Sequence, residues 1–129
     1  MTTRTRLSIV DDDASVREAL LELLEHLGFA VQVFASGDEF LQSPALFATD
    51  CLILDMMMPK MTGPELYDEL IRREIAIPVV FTTAHATEKV RPLIQHLDNV
   101  ECLFKPYSDT DLRAAIDAAI SVRRAGDPG

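Results

Sequence analysis

Seven residues that can do chemistry stand at the ends of short apolar runs. Asp11-Asp12-Asp13 closes Leu7–Val10, and Asp55 closes Cys51–Leu54. Thr82-Thr83-Ala84 closes Val79–Phe81, and Lys105-Pro106 closes Cys102–Phe104. Carboxylates a few ångströms apart repel one another, and one is driven to hold a proton unless a cation intervenes. A hard divalent ion with oxygen ligands, Mg²⁺ above all, resolves that conflict. Lys105 adds a fixed positive charge and the threonines a hydroxyl donor. A site with a metal, a lysine and a hydroxyl suits an anion with several oxygens, such as a phosphoryl group. A carboxylate can itself accept that group and become an acyl phosphate. Asp55, alone at the end of its run, is the candidate nucleophile; Asp12, helped by Asp11, is the candidate metal holder.

Taken singly, each of these residues is ordinary. An Asp after a strand is most often a turn former or helix cap, as Asp13 is expected to be beside Ser15. A lysine before proline is usually a solvated charge, and Thr82 and Thr83 are good strand formers. The chemical reading therefore rests on their coincidence at one rim, which needs a fold that gathers strand ends.

The elements supply such a fold. Leu7–Val10, Phe29–Phe34, Cys51–Leu54, Val79–Phe81 and Cys102–Phe104 read as five strands, and helical periods alternate with them. Ala19, Leu20, Leu23, Leu24 and Leu27 form a helical stripe after a Ser15–Glu18 capping box, with Gly28 as its stop. Ser36 and Glu39 cap a short second helix that Pro44 ends, and Pro64 opens a third with Leu66, Tyr67, Leu70 and Ile71 on one face. Val90, Leu93, Ile94 and Leu97 define a fourth helix with Pro92 in its first turn. The fifth follows a Ser108–Asp111 capping box and a Tyr107–Leu112 staple, along Leu112, Ala115, Ile116, Ala119 and Ile120. Strands apolar on both faces are covered on both faces, so the fold class is α/β, a doubly wound five-stranded parallel sheet with five helices. In such sheets ligands gather outside the carboxyl ends of the strands.

Composition narrows the class further. The 129 residues are 48% hydrophobic and 26% charged, an ordinary globule of one domain's length. A formal net charge of -9 disfavours non-specific binding to nucleic acid or an anionic membrane. No apolar run approaches a membrane span or a signal-peptide core. Cys51 and Cys102 each lie within an apolar run and read as buried, reduced thiols, which suits a cytoplasmic protein. His26 and His96 read as helix-surface residues, and Met56-Met57-Met58 as loop packing rather than a soft-metal site.

The segments Val10-Asp11-Asp12-Asp13, Leu54-Asp55-Met56-Met57-Met58-Pro59 with Met61-Thr62-Gly63, Thr83-Ala84 and Lys105-Pro106 resemble the receiver domain of two-component response regulators. The resemblance covers about residues 5–122 and leaves 123–129 as a loose tail. It implies the flavodoxin-like strand order 2-1-3-4-5. It further implies that Asp55 accepts a phosphoryl group from a phosphohistidine on a histidine kinase or histidine phosphotransfer protein. Asp11, Asp12, an Asp55 oxygen and the Met57 backbone carbonyl would hold Mg²⁺. Thr83 and Lys105 would bind phosphoryl oxygens, Ala84 would leave room to reach them, and the Lys105–Pro106 bond would be cis. Met57 and His85 would border the path of attacking water and tune the lifetime of the acyl phosphate.

Two features depart from the family pattern. Cys102 stands where receivers carry the Tyr or Phe of a rotameric switch, with Phe104 at the same strand parity. Leu97-Asp98-Asn99-Val100 replaces the usual Gly-Ala turn, with Asn99 able to close the helix. Both fall toward the fourth helix, fifth strand and last helix, the expected face for a downstream protein target. A receiver of this length leaves no room within the chain for a DNA-binding output domain, so output is expected through protein contact or relay. Such a domain is not expected to be an enzyme beyond its own phosphorylation and slow autodephosphorylation. The enzyme alternative, a dehalogenase-type phosphohydrolase, wants a second Asp where Met57 stands, and a nucleotide-binding module wants a Gly-rich loop that is missing. A degenerate receiver acting as a constitutive interaction domain is disfavoured by Asp12, Asp55, Thr83 and Lys105, while Cys102 keeps that reading open.

Overall fold

The computed structural model describes residues 4–83 and 100–126. Its strands are β1 (Arg6–Val10), β2 (Ala30–Phe34), β3 (Cys51–Asp55), β4 (Val79–Thr83) and β5 (Glu101–Phe104). They form one sheet in the order β2-β1-β3-β4-β5, with every ladder parallel. The described helices are α1 (Ala14–His26), α2 (Gly37–Leu41), α3 (Gly63–Arg72) and α4 (Asp109–Gly126), with a 3₁₀ turn at Pro44–Phe47. The helix expected over Val90–Leu97, with Pro92, His96 and Asn99, lies outside the described residues.

Alternation along the strands divides the core in two. Val10, Leu52, Leu54, Val79 and Phe81 pack on one face with Phe40, Leu66 and Leu70 from α2 and α3. Leu7, Ile9, Cys51, Ile53 and Val80 pack on the other with Leu20 and Leu24 of α1 and Leu112, Ile116 and Ala119 of α4. Every residue of β3 and β4 is buried, as central parallel strands require. The edge strands β2 and β5 are mostly half-buried. Cys102 is accordingly only half-buried, whereas Cys51 in β3 is fully so, and both are free thiols.

Three local expectations are corrected. The N-cap of α1 is Asp13, whose side chain accepts from Ser15 N at 2.8 Å, not Ser15 with Glu18. The helix already begins at Ala14, so the Ser15 N–H is one of the unpaired donors of the first turn and takes the nearest carboxylate. Second, α2 ends at Leu41, and Pro44 opens the following 3₁₀ turn instead of closing the helix. Third, Ile71 is 56% exposed while Leu66 and Leu70 are buried, because it is rotated about 100° around the helix from Leu70, off the stripe that faces the core. The Ser108–Asp111 box at α4 forms in both directions, and Tyr107 packs with Leu112 in the second core cluster.

Candidate functional site

Register brings the chemistry together. Val10 pairs with Leu54, so the residues that follow, Asp11 and Asp55, leave neighbouring strands side by side. Asp55 pairs with Thr82 and Thr83 with Phe104, which brings Lys105 to the same rim. Two backbone bonds extend the ladders there, Met56 N to Thr82 O at 2.9 Å and Lys105 N to Thr83 O at 2.8 Å. Ligand atoms of Asp11, Asp12 and Asp55 all lie within 4.8 Å of one another. Lys105 Nζ stands 3.8 Å from Asp11 Oδ2. Asp11 and Asp55 are buried, Asp12 is exposed, and Thr83 is fully buried.

The carboxylates are under electrostatic tension. Burial, and then the negative charge of Asp11, push the Asp55 carboxyl up to about 6, against the opposing pull of the Met57 N–H and Lys105. Burial likewise raises Asp11, although the Asp13 N–H and Lys105 favour its ionised form. Asp11 Oδ2 is fully buried with no hydrogen-bond partner among the described residues. A buried carboxylate oxygen left without a donor is costly. Two buried carboxylates, an exposed third and one orphaned oxygen form a donor set of hard oxygens that fits a divalent cation such as Mg²⁺.

The surrounding backbone holds these groups in place. Asp13 N donates to Asp11 Oδ1 at 2.9 Å, and Met57 N donates to Asp55 Oδ1 at 3.3 Å. Gly63 opens α3 against the end of β3: a Cβ there would lie 2.5 Å from the Asp55 carbonyl oxygen and 2.9 Å from Met56 Cα. The Lys105–Pro106 peptide bond is cis. Of the Met56-Met57-Met58 run, Met56 and Met58 are buried and Met57 is 54% exposed at the rim. Cys102 pairs in register with Phe81 and packs against the first core cluster, while Phe104 is 40% exposed. Ala84 and His85 lie outside the described residues.

Three contributors escape a reading of the sequence. Tyr107, read as a staple, also faces the site: burial and then the charges of Asp11 and Asp55 raise its phenol. Arg17, on α1, donates from Nη1 to the Asp11 carbonyl oxygen at 2.8 Å. Thr62 and Glu65 form a complete capping box at α3 and so fix the loop that follows Asp55. The last carried a signal, a Thr three residues before a Glu; the other two are tertiary and carried none.

A doubly wound sheet with this acidic rim and lysine defines a class of signalling domain. Residues 7–117 match the response regulator receiver domain family, and the chain belongs to it. Nodulation protein W of Bradyrhizobium diazoefficiens is 35% identical over 117 residues, 91% of this chain and 52% of that protein. The transcriptional regulatory protein FixJ of the same organism is 32% identical over 120 residues, 93% of this chain and 58% of that protein. The crystal structure of FixJ-N superposes with a TM-score of 0.82 at 31% identity, covering 93% of this chain and 96% of that one. The response regulator StyR gives 0.80 at 37% identity, covering 95% of this chain and 64% of its own. The chain thus spans about half the length of the curated relatives it matches. No helix among the described residues is long and apolar enough to cross a membrane.

Proposed function

We propose that this receiver is a phosphoacceptor and that Asp55 takes a phosphoryl group from a phosphohistidine on a histidine kinase or histidine phosphotransfer protein. The observation that carries the reading is the convergence of Asp11, Asp12 and Asp55 within 4.8 Å, beside the Lys105 ammonium, at the carboxyl ends of three strands. With Asp55 Oδ1 tied to the Met57 N–H, its second oxygen is the nucleophile. That oxygen forms a bond to phosphorus as the phosphorus–nitrogen bond to the donor imidazole breaks, leaving an acyl phosphate on Asp55. Lys105 pairs with one phosphoryl oxygen and the Thr83 hydroxyl donates to another, so charge is met by groups already in place. Asp11, Asp12, Asp55 and the Met57 carbonyl would hold Mg²⁺, which when bound supplies positive charge against the phosphoryl oxygens. The family pattern would have Ala84 leave room at the acceptor and His85 border the path of attacking water; both lie outside the described residues.

Chemistry in this reading ends with Asp55 itself and the slow hydrolysis of its phosphate, so the domain signals and has no separate substrate to turn over. A cytoplasmic location follows from that of the proposed donor. The signal leaves through protein contacts on β5, α4 and the helix expected over Val90–Leu97, which lies outside the described residues. The test is exposure to Mg²⁺ and acetyl phosphate followed by a phosphate-affinity gel. Wild type is expected to shift once, whereas Asp55→Asn, or wild type with the cation chelated, stays unshifted. A wild type that does not shift with any of several small phosphodonors would sink the reading.

A further inference from the structure

The methionine run after the phosphoacceptor is unevenly exposed. Met56 is 0% and Met58 6% exposed, and Met61 is partly buried against the first core cluster. Met57 is 54% exposed, the one exposed methionine among the described residues. Its backbone N–H donates to Asp55 Oδ1, so the most accessible thioether belongs to the residue that orients the phosphoacceptor. The chain's described thiols do not compete well for an oxidant. Burial pushes Cys51 up to about 12 and raises half-buried Cys102, which keeps both as unreactive thiols.

We propose that Met57 is an oxidation site through which a hydroperoxide shortens the lifetime of the phosphorylated state. The thioether sulfur attacks the terminal oxygen of the hydroperoxide, the oxygen–oxygen bond breaks and a sulfur–oxygen bond forms. Sulfur loses two electrons, the peroxide is reduced to an alcohol or water, and the proton ends on that product. The side chain changes from an apolar thioether to a polar, hydrogen-bond-accepting sulfoxide. At the rim beside Asp55 that exchange draws water toward the acyl phosphate, where a thioether excludes it. Among the described methionines, full burial of Met56 and Met58 and partial burial of Met61 favour Met57 as the position that changes, so the core is spared. Methionine sulfoxide reductases reverse it.

The lifetime effect rests on Asp55 being the phosphoacceptor, and the experiment separates the two claims. Protein is treated with limiting hydrogen peroxide, the oxygen added is located by peptide fragmentation, and decay of the acetyl-phosphate-loaded form is timed before and after treatment. One added oxygen on Met57 and a several-fold faster decay are expected, with decay restored by sulfoxide reductase. Peroxide is expected to leave the decay of Met57→Leu unchanged from that variant's own untreated value, although its cysteines are intact. Oxygen spread evenly over the methionines, or unchanged decay after full conversion of Met57, would overturn the proposal while leaving the phosphoacceptor reading standing. Failure of untreated wild type to load at all would overturn that reading and the lifetime effect with it.

Discussion

Asp11 and Asp55 face each other across neighbouring strand ends, and burial makes both carboxyls reluctant to ionise. A carboxyl raised in the folded state binds more protons there than in the unfolded chain, so its contribution to stability is greatest in acid. For Asp55 that contribution is present below about 4, the unfolded value, and is lost as pH rises through about 6. In the absence of divalent cations, Asp55→Asn is therefore expected to be more stable than wild type at pH 7.5, by about 1 kcal/mol after solvent screening. The gap should close at pH 4, as read by urea denaturation at the two pH values. Added Mg²⁺ should stabilise wild type increasingly over the same rise in pH and leave Asp55→Asn nearly unmoved. At this scale much of the site was legible, because Asp11, Asp12, Asp55, Thr83 and Lys105 each end an apolar run and strand parity does the rest. Tyr107 and Arg17 were not, since their approach to the site depends on where α1 and the loop after β5 come to rest.

Caps and close backbone approaches decide how the elements present these residues. Asp13 closes the first turn of α1 while its own N–H holds Asp11 Oδ1, so helix start and site geometry share one residue. Asp13→Ala is expected to cost about 1 kcal/mol in chemical denaturation and to weaken cation binding, whereas Ser15→Ala should be nearly silent. Gly63 has no room for a side chain, because the atoms in the way are backbone at the end of β3. Gly63→Ala should therefore cost about 1–3 kcal/mol by thermal or urea unfolding, and slow phosphoryl loading because Asp55 shifts with its strand. Element types and most boundaries could be read from hydrophobic period and Gly, Pro and Ser signals, down to the Ser108–Asp111 box at α4. What misled was competition between neighbours of like chemistry. Asp13 displaced Ser15 as cap, and Pro44 began a new turn where it was expected to end a helix.

Across the whole molecule, the strand order β2-β1-β3-β4-β5 places β3 in the centre and Asp55 at its end, between the acids of β1 and the threonine of β4. That order is not readable from alternation alone; the resemblance in the motifs supplied it. The same sheet leaves β5 as an edge, with Cys102 half-buried where receivers place an aromatic switch, and Phe104 turned partly to solvent. A thiol is too small to swing between two packed positions as an aromatic ring does, so coupling between the site and β5 should be weak. Amide chemical-shift changes caused by a phosphoryl mimic are expected to stay near the strand ends at Asp11, Asp55, Thr83 and Lys105, and Cys102→Tyr should extend them along β5 into α4. Large shifts throughout β5 and α4 in the wild type would refute that weak coupling.

The central claim is that Asp55 alone becomes an acyl phosphate. An acyl phosphate is reduced by borohydride to an alcohol, which turns a phosphorylated aspartate into homoserine and marks it permanently. After loading with Mg²⁺ and acetyl phosphate and reduction, peptide sequencing by mass spectrometry is predicted to find homoserine at position 55 and nowhere else. Aspartate unchanged at position 55, or homoserine at Asp11 or Asp12 in its place, would contradict the account.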